Sequence, residues 1–217
     1  MPKSKEDYSI ITKSQKPIII IRLRIYLDKL FSIYFWKFLD ILACKNIKIA
    51  DLYEKEIGKQ YTKEYDQFGL LKHNKILHIG CGAYPLTEIA LANSSSAEVV
   101  GIDKNPKAVV LAKEIIRRKN LEKKVTITDG DGINYSADGY DVIIISSCST
   151  PKEKVFENIF KRANKNSIII VRSVDSALNN ILEYINGNKD VKYVKKLHFN
   201  TFFFKPHFWY SIYLTKK

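Results

Sequence analysis

The chain has 217 residues, 46% hydrophobic and 27% charged, which allows one domain with a sizeable core and a modest extension. Its net charge of +13 favours anionic partners, although no Arg-rich stripe concentrates that charge. Cys44, Cys81 and Cys148 lie far apart without C-x-x-C spacing, which argues against a disulfide scaffold or a metal centre and leaves a reducing cytoplasm as the simplest location.

Residues 1–16 are polar, and no secretory leader is expected. Residues 17–43 are strongly apolar, with Ile18 to Ile21, Leu23, Ile25, Leu27, Leu30, Phe31 and Tyr34 to Trp36 among them. Arg22, Arg24, Asp28, Lys29, Lys37 and Asp40 interrupt that run too densely for a bilayer core. One or two amphipathic helices packed on the main domain are expected. The mixture of basic and aromatic residues keeps a membrane-surface helix as the alternative. Residues 50–70 read as a further charged helix, so residues 1–70 are expected to form a helical cover and residues 71–217 the main domain.

From residue 75 the pattern alternates between strands and helices. Strands are expected at 76–79, 98–103, 125–128, 140–145 and 167–171, and helices at 85–93, 106–116, 151–163 and 175–186. Asn105-Pro106 opens the second of these helices, whose apolar residues Ala108, Val109, Leu111, Ala112, Ile115 and Ile116 recur at helical spacing. Residues 191–197 and 208–214 read as two strands joined by an aromatic loop. The expected fold is α/β: a Rossmann-like doubly wound sheet of seven strands, mostly parallel, with an antiparallel C-terminal hairpin.

In such a sheet a ligand lies across the carboxyl ends of the strands, where the strand order reverses. After the first strand, Gly80-Cys81-Gly82 allows a tight turn and close approach of main-chain N–H groups to a ligand. The second strand ends in Asp103, 21 residues after Gly82, which is close to the spacing of a ribose-binding acid; Lys104 follows it. The third strand ends in Asp129-Gly130-Asp131-Gly132. Asp131 can accept from an adenine amino group, and the Gly132–Ile133 backbone can pair with a ring nitrogen. Ser146, Ser147 and Cys148 end the fourth strand with small residues that would line the floor. His78, inside the first strand, reads as a packed core residue.

These ordered segments resemble the class I S-adenosylmethionine-dependent methyltransferase family. The residues that carry the resemblance are 78–82, Val99 to Asp103, 129–132, Tyr140 to Ile145 and the terminal hairpin, and it covers residues 75–217. The resemblance implies S-adenosyl-L-methionine as cofactor, with Gly80, Cys81 and Gly82 at its methionine part, Asp103 at the ribose, and Asp131 with Ile133 at the adenine. Pro85 stands where many relatives have a third glycine. The stretch Gly80 to Thr87 and the run Ile170 to Ser173 also look like nicotianamine-synthase-type enzymes, which move the aminocarboxypropyl group of the same cofactor. That likeness implies a glutamate and a tyrosine near an acceptor amine, and Glu64 and Tyr84 are the candidates; Cys148 is a third candidate base.

The expected activity is methyl transfer to a small-molecule acceptor, with aminocarboxypropyl transfer as the alternative. Nucleic acid stays open as a partner class that no motif supports: an Asn/Asp-Pro-Pro-aromatic motif is missing after the fourth strand, where Ser146 to Ser149 stand. The oligomeric state is not written in the chain.

Overall fold

The computed structural model describes residues 27, 30, 31, 34–200 and 208–217; expectations for 1–26 and for the loop at 201–207 lie outside them. The chain enters through helix α1 (34–45) and α2 (Ile47–Tyr53), capped by the Asn46 side chain. Helix α3 (Lys59–Phe68) follows, ending at Gly69 with φ +67°. The expected helix over 50–70 is present as one continuous helical run that contains a π-helical turn, Glu54–Gly58, between α2 and α3. Such turns insert one extra residue per turn and re-aim the side chains that follow.

The strands are β1 (Lys75–Ile79), β2 (Glu98–Asp103), β3 (Val125–Asp129), β4 (Val142–Ile145), β5 (Ile168–Val174), β6 (Val191–Asn200) and β7 (Phe208–Lys216). Between them lie α4 (Leu86–Ser94), α5 (Pro106–Arg118), α6 (Lys152–Arg162) and α7 (Asp175–Asn186). The sheet runs β3-β2-β1-β4-β5-β7-β6. Strands β1 to β5 are parallel, and β7 runs antiparallel to both β5 and β6. The terminal hairpin is therefore present, with its last strand inserted next to β5.

Alternation along β1 builds two cores. Leu77 and Ile79 pack with α6 and α7 through Val155, Phe156 and Ile181. Ile76 joins the opposite core with Tyr65, Ile89 and Val109. All four residues of β4 are fully buried, each contributing about 1.5–3 kcal/mol. The cover helices add Leu39, Ala43, Tyr53 and Ile57 to the same core as α4 and α5, so they are held by burial as well as by chain connection. Ile79 pairs with Ile102 on one side and Ile145 on the other. Three strand ends thus finish level, and the loops after β1, β2 and β4 meet where the strand order reverses.

Candidate functional site

Gly80 and Gly82 adopt φ +88° and +71°, a region that L side chains rarely enter. A Cβ on Gly80 would stand 2.8 Å from Ser149 Oγ and 3.1 Å from Ser146 Cβ. The turn is pinned to β2. The Gly80 and Cys81 N–H groups both donate to the Ile102 carbonyl, at 2.8 and 3.0 Å. The Gly82 N–H donates to Asp103 Oδ2 at 3.0 Å, while Asp103 Oδ1 accepts from the Asn105 N–H at 2.9 Å. A carboxylate has about four acceptor sites, so two stay available to a ligand hydroxyl pair.

These loops wall a cavity of about 940 Å³, within the size range of small-molecule sites. Gly80, Cys81, Gly82, Asp103, Lys104, Asp131, Gly132, Ser146 and Tyr84 all line it. Lys104 spans towards the loop after β4, its Nζ donating to the Thr150 carbonyl at 2.6 Å. Ser146 lies against the glycine turn, and Asp131 closes a turn on itself, its Oδ1 accepting from the Ile133 N–H at 3.2 Å. Ile133 is 37% exposed and does not line the cavity; its N–H already has this partner.

Glu64 and Tyr84 meet different partners. Glu64 is fully buried and grips the Arg172 guanidinium through Nε at 3.1 and 3.2 Å and Nη2 at 2.5 Å. Arg172 also donates to Thr87 Oγ1 at 2.7 Å and lies over the Tyr61 ring at 3.7 Å. Arg172 and Tyr61 line the cavity, and Glu64 stands behind them. The Tyr84 hydroxyl donates to Glu54, which also pairs with Lys119 at 2.6 Å. Burial and that carboxylate raise the Tyr84 hydroxyl above its ordinary range. Burial likewise raises the Cys148 thiol, which keeps it protonated at neutral pH.

His78 is buried and pairs with Glu88 through Nδ1 at 2.7 Å. His198 sits within β6, stacked on Tyr210.

The sequence reading missed Asp40. Helix α1 brings this carboxylate down onto the glycine turn, where a Cβ on Gly82 would overlap Asp40 Oδ2. The Tyr53 hydroxyl donates to Asp40 Oδ1 at 3.1 Å, and the Tyr84 and Ala83 backbones hydrogen-bond it. Burial pushes its pKa up to about 8; those hydrogen bonds oppose the shift, and nearby Asp103 adds to it. No Lys or Arg salt bridge reaches Asp40 among the described residues. The available signal was one acid inside the apolar run Phe38 to Leu42, but sequence alone could not aim it.

Residues 70–203 match a family model described as a methyltransferase domain. The L-histidine 2-aminobutanoyltransferase of Yersinia pestis is 25% identical over 130 residues, covering 59% of this chain and 48% of that protein. The chain thus spans about half the length of this curated relative. A crystal structure of a glutamate-to-glutamine mutant of MtNAS superimposes with TM-score 0.70 at 15% identity, over 98% of this chain and 81% of that one. The O-methyltransferase from Bacillus cereus in complex with SAH gives TM-score 0.56 at 22% identity, over 74% and 80%.

Proposed function

This chain belongs to the methyltransferase-domain family of S-adenosylmethionine-dependent transferases, and from that premise we propose that it transfers the cofactor's methyl group to a small-molecule acceptor. The observation that carries the reading is the level meeting of the Gly80–Gly82 turn, Asp103 and Asp131 around one cavity. The donor set fits the cofactor: Asp103 keeps acceptor capacity for two ribose hydroxyls, the turn is bare of side chains at Gly80 and Gly82, and Asp131 stands at the next strand end. Bound there, the cofactor supplies an electrophilic carbon on a sulfonium. The chain's own contribution is to orient an acceptor and exclude water within the aromatic wall of Trp36, Tyr53, Tyr61 and Trp209.

A second reading, aminocarboxypropyl transfer to an amine, is favoured by Asp40. A carboxylate beside the glycine turn, with no Lys or Arg salt bridge among the described residues, suits an ammonium group from a ligand, and the surrounding aromatic rings favour the same charge. A proton acceptor whose pKa lies near neutrality can also take the proton that an ammonium must lose before it attacks. The Yersinia pestis relative, named for transfer to L-histidine, and the match to MtNAS through the cover helices support this reading. In this role Asp40 replaces Glu64, whose lone pairs serve Arg172.

Incubation with S-adenosylmethionine and a panel of small amines, phenols and thiols tests both readings. S-adenosylhomocysteine as the released nucleoside supports methyl transfer, and methylthioadenosine supports aminocarboxypropyl transfer. Enzyme-dependent release of neither would overturn both.

A further inference from the structure

Helix α1 is apolar on two opposite sides. Its inward side buries Leu39 and Ala43 and packs Phe35 and Trp36 on the core. Its outward side carries Tyr34, Phe38 and Ile41, and the helical residues Leu27 and Phe31 ahead of it are exposed as well, all five at 36–66%. Tyr34, Phe38 and Ile41 follow at spacings of four and three residues, which sets them in one stripe. At the α1–α2 corner Ile47 is exposed as well, at 76%. A helix that is apolar all round is normally covered on both sides, and exposed apolar patches mark interaction surfaces.

Charge selects the occupant. Lys37, Lys45 and Lys48 are exposed along 37–51 against one exposed acid, Asp51, and the whole chain carries +13. A second copy would bring the same lysines and the same net charge to the contact, so self-association is opposed by like-charge repulsion. An anionic lipid surface meets the opposite sign and accepts the apolar stripe below its headgroups. Tyr34, with a polar tip on an apolar ring, suits that boundary. We propose that the outer face of α1 and the α2 corner dock on an anionic membrane surface, lying in the interface plane. Among the described residues no helix is long and apolar enough to cross a membrane, which agrees with lying on the surface. Phe31 and Ile41 also line the cavity, so the docked face adjoins its wall.

The test is co-sedimentation of the full chain with vesicles of phosphatidylcholine alone and of phosphatidylcholine mixed with phosphatidylglycerol. The expected result is binding to the anionic vesicles only, weakened about tenfold or more by Tyr34→Glu with Phe38→Glu, and also by Lys45→Glu with Lys48→Glu. Near-ultraviolet circular dichroism confirms that each variant keeps the native packing. Equal partition into neutral and anionic vesicles, or unchanged binding by both double variants, would overturn the proposal. So would analytical ultracentrifugation showing a dimer that Phe38→Glu dissociates, because a second copy would then own the face.

Discussion

The two walls of the cavity are built on different principles. The sheet wall is made from backbone turns and strand-end acids, each within a few residues of a strong local signal. The cover wall is made from side chains brought from α1, α2 and α3, and what each does depends on what it meets. Asp40 and Glu64 make the contrast concrete. Both are acids on cover helices, yet Glu64 meets Arg172 and becomes half of a buried ion pair, while Asp40 meets Gly82, the Tyr53 hydroxyl and, among the described residues, no Lys or Arg salt bridge. A buried acid with its cation built in supports the structure. One without it can receive a cation from a ligand.

Breaking the paired acid should have the largest effect. Glu64→Ala leaves the Arg172 guanidinium buried without its counter-charge, and urea denaturation should show a loss of about 3–5 kcal/mol. Gly82→Ala comes next. The +71° φ should cost about 1–2 kcal/mol, and the new methyl group should lever Asp40 off the turn, read as lost transferase activity in excess of the stability change.

The unpaired acid carries a pH signature of opposite sense to most carboxylates. Its folded pKa, about 8, stands above the unfolded value, 3.8, so the folded state binds the proton more tightly. Stability from this group is present at low pH and is lost as pH rises from about 4 to about 8. Asp40→Asn should therefore leave stability below about pH 4 little changed. At pH 8.5, without ligand, it should raise stability by about 1–3 kcal/mol, a range set below the full shift because Asp40 is only partly buried. A variant less stable than wild type at pH 8.5 would assign Asp40 a hidden counter-charge. Tyr53→Phe removes one donor to Asp40 and should cost the smallest amount, about 0.5–1.5 kcal/mol, with a further rise in the pH at which Asp40 ionises.

The same contrast explains what the sequence made legible. All seven strands and the helices after β1 are written in local periodicity: the apolar Val142 to Ile145 run needs no distant information to read as a central strand, and Asn105-Pro106 marks the start of α5 by itself. The strand-end positions of Gly80, Gly82 and Asp103 were legible for the same reason, since each closes or follows a strand whose apolar run is local. The Gly132–Ile133 backbone was expected to pair with a ring nitrogen, but the Ile133 N–H is engaged by Asp131, a turn closure that residue order does not reveal. The cover resisted reading because its chemistry comes from long-range pairing. Arg172 lies 108 residues from Glu64 and claims it, and the π turn at Glu54–Gly58, inside the expected long helix, precedes the part that carries Tyr61 and Glu64. Asp40 looked like one of several charges interrupting an apolar run. Only the folded chain shows that it is aimed inward at the glycine turn.

Calorimetric titration of S-adenosylhomocysteine into the wild type, Asp103→Ala and Asp40→Asn tests the division between the walls most directly. The account predicts one site in the wild type, an affinity reduced by about 100-fold or more in Asp103→Ala through loss of charge-assisted hydrogen bonds, and an affinity within about threefold of wild type in Asp40→Asn. Wild-type affinity in Asp103→Ala would contradict it, because the cofactor would then not rest on the strand-end acid around which the sheet wall is built.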